Sequence, residues 1–214
     1  MRLGLIVLFV ALLLAVIAGQ NSLLQSTEAQ DYTSAITACA VQGGSCSQAS
    51  LDSSPGAVLD HTVFVGGGPN YATAYFAMAK WFESLTRPAH LSQLEEWAHE
   101  HYFMTRANVD TFIILPPGPG RIRGLEQARA AREMESRIII LAEGSDVEAR
   151  AAADIFFPMP SGIREALTPF VYKLVFEYLS CEISKAQNIA FLGFDDRRRQ
   201  EVNFRQIFHS AEMA

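Results

Sequence analysis

From residue 62 onward, short and almost wholly apolar runs alternate with segments of helical period, and this alternation restricts the chain to few architectures. Strands are expected at residues 62–65, 111–115, 137–141 and 154–157, with a further short one at 88–91. Helices are expected at 70–85, 121–135 and 146–152, with a short one around 95–106. The runs FIIL (112–115) and RIIIL (137–141) lack the polar alternation of a half-exposed strand, so both of their faces must be buried. A repeated βα order with such strands predicts an α/β three-layer sandwich, a flavodoxin-like parallel sheet of about five strands. A last helix is expected to start with Thr168 as N-cap and Pro169 at the first helical position. Leu167, Phe170, Val171, Leu174, Tyr178 and Cys181 would then form its apolar face.

The junction after the first strand is the expected place for a ligand. There the apolar run meets Gly66, Gly67 and Gly68, then Pro69 and Asn70 at the start of a helix. Glycines let a ligand approach the backbone, and the following helix start offers free N–H groups. A second such junction, residues 116–120 followed by Arg121 and Arg123, has no Gly-Lys-Ser/Thr and reads as a tight βα turn rather than a nucleotide loop.

The formal charge of -6 and pI near 5.4 argue against a sequence-independent grip on nucleic acid. The Arg197, Arg198, Arg199 run follows Asp195 and Asp196 and reads as a solvated, self-compensated turn. With only three cysteines (Cys39, Cys46, Cys181) and no paired Cys/His spacing, no zinc site or disulfide framework is expected, and Cys181 reads as a small core residue. Residues 3–19 form an unbroken apolar run. It suits either a core helix of a preceding domain or a secretion signal or anchor, the latter placing the chain outside the cytoplasm or at a membrane. The expected organisation is that run in residues 1–20, a Gly/Ser/Gln-rich inter-domain segment in 21–58, and one compact domain with its tail in 59–214.

The titratable side chains gather between residues 80 and 101. Lys80 and Glu83 share a helix face, which by itself fits an ordinary surface pair. His99, Glu100 and His101 lack the i, i+4 histidine spacing of a helical zinc motif, so no metal is expected.

The joint order of these features, VFVGGGPNYATA, AKWFE, EEWAH, then DIFFPMPSGIREAL with Pro169, and GFDD near the end, resembles the sugar isomerase (SIS) domain family. The likeness is to the second SIS domain of double-domain members, the glucosamine-fructose-6-phosphate aminotransferase and fructosamine deglycase types. On that resemblance the chain looks like a truncated C-terminal half, cytoplasmic and dimeric. It would act on a sugar phosphate, or an amine adduct of one, by proton transfer between C1 and C2 without metal or cofactor. The resemblance implies Glu83 as the base and His99 as the ring-opening acid/base. Lys80 and Glu96 would support them, and Gly67, Gly68 and Asn70 would lie against substrate. Glu83 would be expected partly buried near His99. A carboxylate suits the first task because burial can raise its pKa, and an imidazole suits the second because it titrates near neutrality.

Of two departures from the aminotransferase pattern, the first favours a deglycase-like or unassigned SIS protein and the second removes one ligand for the open-chain sugar. Glu100 and His101 stand where that pattern has Gly-Pro, and no lysine occurs among residues 203–210. The Ser/Thr phosphate cradle of the first SIS domain has no counterpart upstream of residue 59. The chain alone is therefore expected to be inactive or to act only as a phosphosugar-binding module, unless residues 118–123 hold the phosphate.

Overall fold

The computed structural model of the protein describes residues 61–208. The apolar run at 3–19 and the inter-domain segment at 21–58 lie outside the described residues.

Five strands form one parallel sheet in the order β2-β1-β3-β4-β5: β1 (His61–Gly66), β2 (Ala89–Gln93), β3 (Val109–Leu115), β4 (Arg137–Glu143) and β5 (Ile155–Met159). All seven residues of the central β3 are buried, as its apolar run at 112–115 leads one to expect, and its two polar members are partnered, Asp110 by Arg137 at 2.7 Å and Thr111 by Ser136 at 2.8 Å. In the parallel register Phe64 lies opposite Phe112 and Phe112 opposite Ile139, so like faces align across the sheet. The strand order reverses between β1 and β3, the switch point where open α/β sheets take ligands.

Alternation of side chains divides the core in two. Phe64, Phe112, Ile114, Ile139 and Leu141 pack under helix α1 (Asn70–Lys80), its π-helical extension (Trp81–Leu85) and α5 (Thr168–Ala186). Val63, Val65, Ile113, Ile138 and Ile140 pack under α2 (Leu94–Trp97), α3 (Arg121–Glu133) and α4 (Val147–Ala152). The expected three-layer sandwich is thus the observed one.

Helix α5 differs from expectation in two respects. It starts one residue early, with Leu167 in the cap position and Pro169 inside the first turn. Thr168 does not cap it: its hydroxyl accepts from Asn70 Nδ2 at 2.7 Å and donates to the Glu165 carbonyl at 2.7 Å. The buried face is Tyr172, Phe176, Leu179 and Ile183, whereas Leu167, Phe170, Tyr178 and Cys181 are exposed. Both faces of this helix are apolar, and periodicity cannot say which of two apolar faces meets the sheet.

The tail comprises a short 3₁₀ turn (Phe191–Gly193) and α6 (Arg197–Phe208). No helix among the described residues is long and apolar enough to cross a membrane.

Candidate functional site

At the carboxyl end of β1, Gly68 takes a left-handed φ of +51° and lets the chain turn into α1. A side chain at Gly67 would press on Leu94 at 3.1 Å, so this turn also needs glycine for packing. Asn70 is fully buried: its amide donates to Thr168, and its carbonyl oxygen accepts from Thr73 at 3.0 Å. It ties α1 to the start of α5, and both ends of its amide are committed to the protein.

One carboxylate that the sequence reading passed over faces this turn. A Cβ at Gly118 would stand 2.5 Å from Glu165 Oε2, and one at Gly68 3.4 Å from Glu165 Oε1. Glu165 therefore lies across the switch point between two glycine turns. Its only sequence signal is its place just ahead of Pro169, which marks the helix that follows β5.

Helix α1 runs back along the sheet from that edge, and its end carries the Lys-x-x-Glu pair. Lys80 Nζ donates to Glu83 Oε2, and the two side chains are 25% and 38% exposed. Glu83 sits in a five-residue π turn, a rare form that recurs at functional sites. The turn ends at Thr86, a β-branched residue held at φ 50° in the left-handed region, a strained conformation. Phe76 lies beneath two ammonium groups, Lys80 at 5.4 Å and Lys173 at 5.2 Å from its ring centre.

Glu96 and His99 follow the carboxyl end of β2, at and just beyond α2, on the other face of the sheet. Gln93 starts that helix by accepting from the N–H groups of Glu95 and Glu96. His99 Nε2 lies 3.6 Å from Glu95 Oε1, and its side chain is 74% exposed. The sheet thus separates Glu83 from His99: one chain brings Lys80 to Glu83 and leaves Glu96 and His99 apart from them. The crossover pattern of the sequence does not say on which face each helix lies.

The Gly118–Arg123 junction does not present free cations. Arg121 makes two bonds to Asp146 at 2.6 and 2.7 Å and one to Glu148 at 2.7 Å. These hold the Asp146 carboxyl below its usual range, assisted by the Ala149 N–H that Asp146 caps. Arg123 is likewise bound to Glu95 at 2.8 Å and Glu126 at 3.0 Å. Among the described residues there is no group of three or more His, Cys, Asp or Glu side chains able to hold a metal ion.

His101 lies half-buried with its ring centre 5.9 Å from that of His90. Burial, and then the His90 charge, push it below the ordinary imidazole range, while Glu100 and Glu96 pull the other way. The unfolded chain therefore takes up this proton first. Its contribution to stability is complete above about pH 6.5 and is lost as the pH falls below that toward the lowered folded value. The urea midpoint is expected to drop between pH 7.5 and 5.5, and to drop less in His101→Gln. An equal drop in the variant would assign the acid sensitivity to other groups.

No protein-family model and no curated protein matches the sequence. Solved structures do match the fold. The C-terminal domain of glucosamine-fructose-6-phosphate aminotransferase from Francisella tularensis superposes with a TM-score of 0.58 at 16% identity, over 75% of this chain and 42% of that one. The sugar isomerase domain of an RpiR transcription factor from Sphaerobacter thermophilus gives 0.56 at 16% identity, over 94% and 98%. Tagatose-6-phosphate ketose/aldose isomerase from Escherichia coli gives 0.55 at 11% identity, over 80% and 41%. The chain thus spans less than half the length of two of these neighbours and nearly all of the third. Its fold is that of the sugar isomerase domains.

Proposed function

We propose that this chain, with its sugar isomerase fold, handles sugar phosphates or their amine adducts by moving a proton between C1 and C2. The observation that carries the reading is the Lys80–Glu83 pair on the strained π turn at the end of α1. Two of the structural neighbours are named for hexose 6-phosphates. In this reading the Glu83 carboxylate takes the C1 proton of the open-chain ketose, leaving an enediolate, and returns it to C2 as the O1 hydroxyl proton passes to O2, which leaves a C1 aldehyde and a C2 hydroxyl. The Lys80 ammonium fixes the direction of that carboxylate and stabilises the negative oxygen as it develops. His99 accepts the anomeric hydroxyl proton and passes it to the ring oxygen as the bond from the anomeric carbon to that oxygen breaks, which opens the ring.

Because the sheet stands between Glu83 and His99, His99 comes from a second copy of the chain. Exposed apolar side chains on the layer that carries Glu83 support such a contact: Phe82, its neighbour on the π turn, is 46% exposed, and Tyr75 on α1 and Phe170 at the start of α5 are 57% and 71%. A cytoplasmic homodimer is the simplest assembly of this kind.

The same separation favours a second reading, a phosphosugar-binding regulatory module without catalysis. One of the neighbours is the sugar isomerase domain of a transcription factor. The two readings part in deuterium oxide. With fructose 6-phosphate or glucose 6-phosphate, the full chain is expected to wash deuterium into C1 or C2, followed by proton NMR. Glu83→Gln, which keeps the shape and removes the proton acceptor, is expected to slow this about 100-fold or more. Undiminished exchange would remove Glu83 from the chemistry, and binding without any exchange in the unaltered chain would favour the regulatory reading.

A further inference from the structure

The arginine run of the tail is not self-compensated. Asp196 Oδ1 accepts from the backbone N–H groups of Arg198 and Arg199 at 2.9 and 3.4 Å, so this carboxylate is engaged in capping α6. Arg197 turns aside to Glu201 at 3.0 Å. Among the described residues the guanidinium groups of Arg198 and Arg199 meet no carboxylate. Both line an open cavity of about 420 Å³, with the side-chain amides of Asn203 and Gln206 beside them and Leu192 and Phe194 among its apolar walls.

Two features of the 3₁₀ turn show that this arrangement is held in place. A Cβ at Gly193 would stand 2.8 Å from Arg199 Nη1 and 3.1 Å from its Cζ, so the guanidinium lies against a backbone that only glycine leaves bare. Leu192, at the cavity wall, is held at φ 57°, and Gly193 follows at φ +63°. Strain at a non-glycine residue of this kind collects at ligand clamps and switch segments. The 3₁₀ turn packs against the π turn that carries Glu83.

We infer that this cavity binds the phosphate group of a small phosphorylated ligand, with Arg198 and Arg199 as the phosphate contacts and Asn203 and Gln206 as partners for neighbouring hydroxyls. Paired guanidinium forks match the geometry and double charge of a phosphate monoester. The volume lies in the range of small-molecule sites. The apolar walls and the acidic balance of the chain disfavour a nucleic-acid backbone as the occupant. Asp196 also lines the cavity. Its charge is offset by the helix N-terminus it caps. The site reverses the expectation that the chain lacks a phosphate anchor of its own. It rests on the phosphosugar reading only for the choice of probe.

The test is calorimetric titration of the full chain with fructose 6-phosphate, inorganic phosphate and fructose. Fructose 6-phosphate is expected to bind, inorganic phosphate more weakly, and fructose not measurably. The Arg198→Gln/Arg199→Gln variant is expected to weaken fructose 6-phosphate at least tenfold, with Arg197→Gln, outside the cavity, unchanged. Arg199→Lys, which keeps the charge and loses the fork, is expected to fall between. All three positions are exposed, and matching thermal midpoints will show that the variants remain folded. Equal binding by the double variant, equal binding of fructose and its phosphate, or no binding of either phosphate probe by the unaltered chain overturns the inference. Phosphate-dependent binding without C1/C2 exchange would sink the isomerase reading and leave this site standing. Exchange that is indifferent to both arginines would do the reverse.

Discussion

Trp81→Ala is expected to remove about 3–5 kcal/mol of stability, a large part of the roughly 5–15 kcal/mol available to a domain of ordinary stability. Trp81 is fully buried at the first position of the π turn. Its ring meets Phe64 edge-on at 5.0 Å between centroids and Phe112 at 5.6 Å. These rings, with Phe176 from α5 at 5.5 Å from Phe64, join four elements at one point of the core. Truncation leaves a void that a rigid sheet floor cannot close, and it frees the turn that holds Glu83. Trp81→Phe retains a ring against Phe64 and is expected to cost distinctly less. Urea unfolding monitored by circular dichroism reads both values, and an Ala variant that loses under about 1 kcal/mol would show that the turn does not depend on this cluster.

How much of this was legible beforehand varies with the kind of signal. The strands at β3 and β4 announced themselves through FIIL and IIIL, because a strand buried on both faces leaves no polar position to blur the run. That the sheet is parallel followed from βα repetition. The buried face of α5 did not, since Phe170 and Tyr178 are as apolar as Tyr172 and Phe176, and only the position of the sheet decides between them. The arginine run was misread for a related reason. Asp195 and Asp196 look like counter-charges in a linear sequence, but Asp196 is the cap of α6, and a helix start placed at Arg197 would have exposed that role. Glu165 gave little warning because the glycines it faces, Gly68 and Gly118, are distant in sequence. The Lys-x-x-Glu and Glu-x-x-His spacings located the titratable groups, yet spacing carries no information about layers. That Glu83 and His99 lie on opposite faces of the sheet is a property of the fold alone.

That separation is the basis of the central claim, that proton transfer needs Glu83 of one copy and His99 of another. Mixed oligomers test it most directly. Glu83→Gln and His99→Ala are each expected to abolish exchange alone, because every site in either assembly lacks one of the two groups. Co-expressed, the variants reassort, and chance pairing leaves about a quarter of the sites with an intact Glu83 facing an intact His99. The measurement is the rate of deuterium incorporation from solvent into C1 of fructose 6-phosphate by the co-purified mixture, against each variant and the unaltered chain. The account predicts recovery to about a quarter of the unaltered rate, from the same pairing statistics. No recovery in a mixture shown to contain both variants in one assembly, or an unaltered chain that exchanges no proton, would contradict it.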